Sequence, residues 1–223
     1  MTRRSTWWAL LGLVCLLPAA AAAQVRPAPQ AVPPAPPVAA RGFADIGAMT
    51  FTASDSFETV LGSNRGTLFG GGGEVVLAPG IFAQVRVSRF QRDGERVFVF
   101  ENEAFPLGID TTVRVTPIEV SGGYRFARTR RVVPYVGAGL GWHRYEETSE
   151  FADDNENVDE THRGYHLLGG AEVRLAGWLG VGGEVQWTTV PDALGQDPNG
   201  VSAAFDETNL GGVGVRIRVV IGR

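Results

Sequence analysis

Residues 163–189 read RGYHLLGGAEVRLAGWLGVGGEVQWTT, and their period decides how the chain folds. Tyr165, Leu167, Gly169, Ala171, Val173 and Leu175 form one alternate set, and His166, Leu168, Gly170, Glu172 and Arg174 the other. After Ala176-Gly177-Trp178 the pattern resumes. Leu179, Val181, Gly183, Val185 and Trp187 then alternate with Gly180, Gly182, Glu184, Gln186 and Thr188. A period of two is that of a strand, whose successive side chains point to opposite faces. Two such runs around a short break predict a hairpin. Glu172, Arg174, Glu184 and Gln186 all share the face opposite the apolar one. That pattern fits a half-exposed sheet, with one face in water. It also fits a transmembrane barrel, with lipid outside and a polar interior.

Working outward, similar runs recur. Gly42 to Thr52 alternates loosely, and Thr67 to Ala78 carries the glycine run Gly70–Gly73, which tolerates strong coiling in a small barrel. Between them, residues 54–66 are polar and turn-rich, with room for a short helix. After Pro79-Gly80, a third run extends from Ile81 to Phe90. Ile81, Ala83, Val85 and Val87 share one face, and Phe82, Gln84, Arg86 and Ser88 the other. Arg92-Asp93-Gly94-Glu95 reads as a turn opening a long connection over 91–108. Thr111 to Phe126 is the fourth run, and Pro117 inside it predicts a bulge or register change, because proline forfeits a ladder bond. Val132 to Tyr145 is the fifth. The hairpin of 163–189 supplies the sixth and seventh, and Thr208 to Gly222 the eighth.

The connections alternate in length. Those at 79–80, 127–131 and 176–178 are short, and those at 53–66, 91–108, 146–161 and 191–205 are long. Short turns at one end and long loops at the other belong to an all-β, eight-stranded antiparallel up-and-down transmembrane β-barrel, closed so that no strand edge meets hydrocarbon. In that barrel Glu74, Glu119, Glu172 and Glu184 are expected inside, paired with Arg86, Arg125, Arg174, Arg216 and Arg218, with Gln186, His143 and His166 completing a polar interior network. A narrow eight-stranded lumen is filled by side chains, and isolated buried charge is costly, so mixed signs imply a plugged interior. Arg174 is expected to partner a carboxylate, and His143 with Tyr145 to approach Glu172 and Arg174. Trp142, Trp178, Trp187, Tyr124 and Phe126 lie near strand ends, where aromatic girdles occur.

The first 23 residues combine Arg3 and Arg4, an apolar stretch from Trp7 to Leu17, and Ala21-Ala22-Ala23, the pattern of a secretory signal peptide. The chain's one cysteine, Cys15, lies inside it, so the exported protein has no disulfide. Residues 24–40 are Pro/Ala-rich and read as a flexible linker, leaving 41–223 as the barrel domain. All 20 basic residues are arginine, and without Arg3 and Arg4 there remain 18 against 24 acidic residues, which argues against a nucleic-acid surface. A mean hydropathy of zero is compatible with a membrane barrel, which hides its apolar residues at every second position.

The segments PYVGAGLGWHRY, GYHLLGGAEVR and GVGVRIRVVIGR, with the signal peptide, resemble the small OmpA-like and OmpW-like outer-membrane β-barrels of Gram-negative bacteria, over about residues 41–223. The resemblance implies an outer-membrane location, contact with outer-membrane lipid and lipopolysaccharide, folding by the barrel-assembly machinery, a monomer, and no cofactor. It also implies a structural role, or passive passage or binding of small hydrophobic molecules. Such barrels usually end in an aromatic residue used in assembly, whereas this chain ends Ile221-Gly222-Arg223.

Other chemistry reads weakly. His143, His162 and His166 are expected as hydrogen-bonding filler and not as a metal centre. Asp153, Asn155, Asn157 and Asp159 alternate faintly like a calcium loop, but Val158 replaces the required glycine and Gly164 the closing glutamate, so weak divalent-cation bridging by the 146–161 loop is the most they imply. Ser54, Ser56, Ser121 and Ser202 have no placed His/Asp pair, and no enzyme is expected. Two competing readings are a periplasmic lipocalin-like barrel with its faces inverted around an apolar ligand, and an outer-membrane lipid-modifying enzyme using His162 and Ser149 at the rim.

Overall fold

The computed structural model describes residues 38–100, 103–149, 157–195 and 200–222. The signal-peptide reading of 1–23 and most of the linker lie outside them, as do Asp153 and Asn155. Eight antiparallel strands close into a barrel in chain order. They are β1 (Val38–Phe51), β2 (Arg65–Leu77), β3 (Ile81–Phe100), β4 (Glu103–Arg125), β5 (Val132–Ser149), β6 (Val158–Arg174), β7 (Leu179–Thr189) and β8 (Gly212–Gly222). Helix α1 (Ser54–Leu61) joins β1 to β2, and α2 (Val201–Ala204) lies between β7 and β8. β1 begins at Val38, so the last three residues read as linker already pair, Val38 with Leu77 and Ala40 with Val75.

The register fixes the barrel's shape. Stepping from partner to partner, Ala40 leads through Val75, Ala83, Gly122, Ala138, Leu167, Trp187 and Val213 back to β1 at Thr50, a stagger of ten residues around eight strands. Such a stagger tilts the strands by roughly 40° and leaves an interior only wide enough for side chains.

The apolar alternate set faces outward. Leu167, Val185 and Ile217 are 57%, 52% and 61% exposed, whereas Glu172, Arg216 and Arg218 are at most 4% exposed. This overturns the lipocalin-like reading, which needs the faces reversed. Side chains that would be expelled from water in a soluble protein are here the outer wall, as hydrocarbon surroundings require.

Three local readings are corrected. Arg92-Asp93-Gly94-Glu95 is not a turn: β3 runs on to Phe100, pairing Gly94 with Thr111 and Phe100 with Glu103, so the expected 91–108 connection is a tall hairpin. Gly94 serves close approach, since a Cβ there would lie 2.2 Å from the carbonyl oxygen of Val60 in α1. Pro117 shifts no register. Val87–Ile118 and Phe90–Val115 keep one frame on either side of it, and Pro117 pairs with His143 across to β5. Its missing donor costs one ladder bond, which the long flanking ladders absorb. The irregularity sits instead between Glu95 and Val97, opposite Gly108 with φ 66°, a left-handed conformation that glycine adopts without strain. β8 starts at Gly212 and not at Thr208, because Asn209 turns its side-chain oxygen onto the amides of Val190 and Gly211.

With the apolar face in lipid, Val185→Arg sets a charge near mid-membrane. It should cost about 2–4 kcal/mol of barrel stability and sharply lower the folded fraction in lipid vesicles, read as loss of the heat-modifiable band on gels.

Candidate functional site

The lumen is filled in layers. Toward the short-turn end, Arg125 donates to Glu74 at 2.6 Å and to Glu172 at 3.0 Å, and Arg41 donates to Glu172 at 2.9 Å and also to Glu74. This clamp joins β1, β2, β4 and β6 across the interior. Above it, Phe43, Phe82 and Tyr135 form an aromatic floor, with the Arg218 guanidinium 4.0 Å from the Phe43 ring centre and that of Arg125 4.6 Å from the Tyr135 ring. The next layer is a second charge cluster. Glu184 takes Arg86 at 2.6 Å, Arg218 at 3.1 Å and the Tyr135 hydroxyl at 3.0 Å. Gln186 accepts from Arg86 at 2.9 Å and Arg216 at 2.7 Å, and donates to Glu119. Asp45 is held by ion pairs to Arg86 at 3.2 Å and Arg216 at 3.9 Å. The two clusters together set Arg41, Arg86, Arg125, Arg216 and Arg218 against Asp45, Glu74, Glu119, Glu172 and Glu184, so the interior is electrically neutral.

The outer half of the lumen is apolar. Phe51, Leu68, Phe90, Val113, Val115 and Leu210 are buried together with Phe57 and Leu61 of α1. Phe57 stacks on Phe51 at 4.2 Å, and Phe90 meets Phe51 edge-on at 5.0 Å. The helix is tied down by Glu207, whose carboxylate accepts from the amides of Asp55 and Ser56 at 3.1 and 2.8 Å. α1 is therefore a stopper across the barrel mouth. Beside it opens a cavity of about 600 Å³, lined by Phe57, Val60 and Leu61 of α1, Val97, Leu107 and Ile109 of the tall hairpin, and Leu194 and Val201 of the β7–β8 connection. Arg96, Tyr145, Glu147 and Glu160 add polar groups to its wall.

Of the residues singled out in the sequence, Glu74, Arg86, Glu119, Arg125, His143, His166, Glu172, Glu184, Gln186, Arg216 and Arg218 are all buried in the interior. Arg174 is a correction. It ends β6 half-buried, and the neighbouring Glu172 is already held by Arg41 and Arg125. His143 and Tyr145 do not approach Glu172 or Arg174. Along β5, His143 pairs with His162 while Val133 pairs with Glu172, a separation of ten residues or roughly 33 Å of strand. Ser121 is a further correction: its Oγ lies 2.7 Å from His166 Nε2, and His166 Nδ1 lies 3.8 Å from Glu119. The second distance is too long for a hydrogen bond, and all three side chains are sealed in the lumen away from the cavity. Among the described residues no group of three His, Cys, Asp or Glu side chains forms a metal centre. Asp159 of the supposed calcium loop is an outward strand residue bound by Arg144 at 2.8 and 2.7 Å, which holds its carboxyl below the usual range. Asn157 accepts from the Ser149 amide at 3.3 Å.

Sequence reasoning missed Arg41 and Asp45. The signal was present, since both share the alternate set Ala39, Arg41, Phe43, Asp45 of β1. The loose apolar pattern there hid the inward face. The loop-end cavity had no sequence signal, because its walls come from α1, four strands and the β7–β8 connection.

A closed barrel with an apolar outer wall and a neutral, ion-paired interior is a transmembrane barrel of the outer-membrane type. The family model described as "Outer membrane protein beta-barrel domain" matches residues 9–216, and the chain belongs to that family. Among solved structures it is similar to Neisserial surface protein A, with 14% identity over 83% of this chain and 97% of that one and a TM-score of 0.54. It is also similar to a major outer membrane protein from Thermus thermophilus, with 11% identity over 82% and 99% and a TM-score of 0.51. No curated protein matches the chain. Family membership sets the protein in the outer membrane.

Arg125→Leu leaves two buried carboxylates to share the single guanidinium of Arg41 and should cost about 3–5 kcal/mol, whereas Arg174→Leu should change stability by no more than about 0.5–1 kcal/mol; urea unfolding in lipid vesicles measures both. Asp159 has a depressed folded pKa, so its pairing with Arg144 is present at neutral pH and lost as the pH falls through that pKa. In a carboxyl NMR titration, Arg144→Gln should move the Asp159 midpoint upward.

Proposed function

We propose that this protein is a closed, non-conducting outer-membrane barrel that holds a small apolar molecule in its loop-end cavity. The observation that carries the reading is the stopper. With α1 packed over an apolar layer, and two ion-paired layers below, the lumen offers binding space at its outer mouth and no through-path. A cavity of about 600 Å³ with apolar walls and a few polar groups falls in the range of roughly 300–1,000 Å³ typical of small-molecule sites. Binding is thus favoured over passage among the roles that the resemblance implies. In the same reading, residues 1–23 direct export, the assembly machinery inserts the chain, and it stands as a monomer among outer-membrane lipids.

The test is a titration of methyl-labelled protein in nanodiscs with naphthalene. Saturable shifts are expected at Val60, Leu107, Ile109 and Leu194, and filling the cavity by Ile109→Trp should weaken binding by roughly tenfold or more. In planar bilayers the native protein should give no steady channel current. An absence of saturable shifts, or a stable conductance, would refute the proposal.

A further inference from the structure

The pairing of carboxylate with guanidinium that fills the lumen stops at the mouth. On the outward side of the β5–β6 ladder arginine still answers each carboxylate: Asp159 meets Arg144 at 2.7 Å, and Glu146 lies 3.3 Å from Arg144 and 3.7 Å from Arg114. The inward side differs. Tyr145 pairs with Glu160 and Glu147 with Val158, so Glu147 and Glu160 are diagonal neighbours on the face that lines the cavity. Diagonal positions on a ladder lie roughly 7–8 Å apart, near enough for two long side chains to share one small cation. Among the described residues neither carboxylate has an arginine partner. Glu147 accepts from the Tyr145 hydroxyl at 2.9 Å, and Glu160 lies 3.1 Å from His162 Nε2. Arg96, the basic residue of the cavity wall, stands on β3 and has an interaction of its own.

A second feature of the same cavity is independent of these charges. Ser56 of α1 lines it, is 4% exposed, and has a hydroxyl with no hydrogen-bond partner among the described residues. A plain hydrocarbon occupant would leave that hydroxyl buried and unpaired, which is unfavourable. An occupant with an N–H group satisfies it, because a hydroxyl oxygen accepts as readily as it donates. The sign of the polar group follows from the wall. Two carboxylates without guanidinium partners call for a cation, and an ammonium group brings three N–H donors and a full positive charge. The rest of the lining, with Phe57, Val60, Leu107, Ile109 and Leu194, suits an apolar body.

We infer that the loop-end cavity takes an organic ammonium compound, with its apolar body against α1 and the tall hairpin and its protonated amine between Glu147 and Glu160. Tyr145 is then a positioning residue, whose hydrogen bond orients the Glu147 carboxylate. The inference rests on the proposed role of the cavity as a small-molecule site and names the chemical class that the site selects.

Three ligands that share one ring system decide it: 1-naphthylmethylamine, its neutral counterpart 1-naphthalenemethanol, and the anion 1-naphthoate. Each is titrated into methyl-labelled protein in nanodiscs, with the shifts of Val60, Leu107, Ile109 and Leu194 as readout. Hydrogen bonds to a charged group exceed neutral ones, so the amine should bind the native protein roughly tenfold more tightly than the alcohol. Naphthoate should bind more weakly than either. In Glu147→Gln/Glu160→Gln the advantage of the amine over the alcohol should fall to about twofold or less. Comparing that ratio between variants cancels the different partitioning of the two ligands into lipid. Glu58→Gln removes the same charge from an exposed position of α1 outside the cavity and should keep the full advantage. Both variants should keep heat-modifiable migration. If the double variant fails to fold, Glu160→Gln alone, at a side chain 51% exposed, should still reduce the advantage about threefold. Equal affinity of amine and alcohol for the native protein, or an advantage that survives loss of both carboxylates, would overturn the inference and leave the cavity a binding site. If neither the amine nor naphthalene gives saturable shifts, both proposals fall.

Discussion

Arg125 reaches across the lumen to Glu74 on one side and Glu172 on the other, and most of the interior is built around the constraint that this contact represents. A barrel ringed by hydrocarbon cannot send its inward charges to water through the wall. Each carboxylate must find a guanidinium inside, or lose several kcal/mol to desolvation. Five arginines answer five carboxylates, some across one ladder, as Arg41 of β1 does with Glu74 of β2, and others between strands that are not neighbours in the sheet, as Arg86 of β3 does with Glu184 of β7. Backbone ladders close the wall, while these pairs cross the space that the wall encloses. The aromatic floor of Phe43, Phe82 and Tyr135 keeps the two charge layers apart and lends each a ring face.

The outer half obeys a different rule. There the strands rise past the membrane boundary, and inward positions become apolar: Phe51, Leu68, Phe90, Val113. Such residues need cover from water at the mouth, and α1 supplies it with Phe57 and Leu61. Glu207 fixes the helix from the β7–β8 connection, so stopper and rim form one unit. The tall β3–β4 hairpin continues this apolar interior above the rim and bounds a cavity where a narrow barrel by itself would have none.

Outside, the wall is graded along its height. Apolar and small residues occupy the middle, aromatic rings mark the outer boundary, and arginines follow within a turn of the pleat. This order mirrors the layering of a membrane interface, from acyl chain to polar head. The likeness to Neisserial surface protein A and to the Thermus thermophilus protein, at 14% and 11% identity, is one of fold alone. Identities so low leave the filling of the lumen, the stopper and the rim as properties of this chain.

Period-two alternation was sufficient for the strand count, the closed architecture and the outward set, because in a strand the face of each side chain follows from its position alone. The inward placement of Glu172, Glu184, Arg216 and Arg218 was legible for the same reason. Features that depend on contacts distant in sequence were not. Arg92-Asp93-Gly94-Glu95 has the composition of a turn, and only the packing of Gly94 against α1 explains why it stays extended. Arg174 lies on the correct strand for pairing with a carboxylate, but Arg41 and Arg125 reach Glu172 from across the lumen. By itself, then, the amino-acid order determined which residues face lipid and which face the axis. The tertiary structure alone decided which inward charges meet, because partners across a barrel are set by the ten-residue stagger of its closure, a property of all eight strands together.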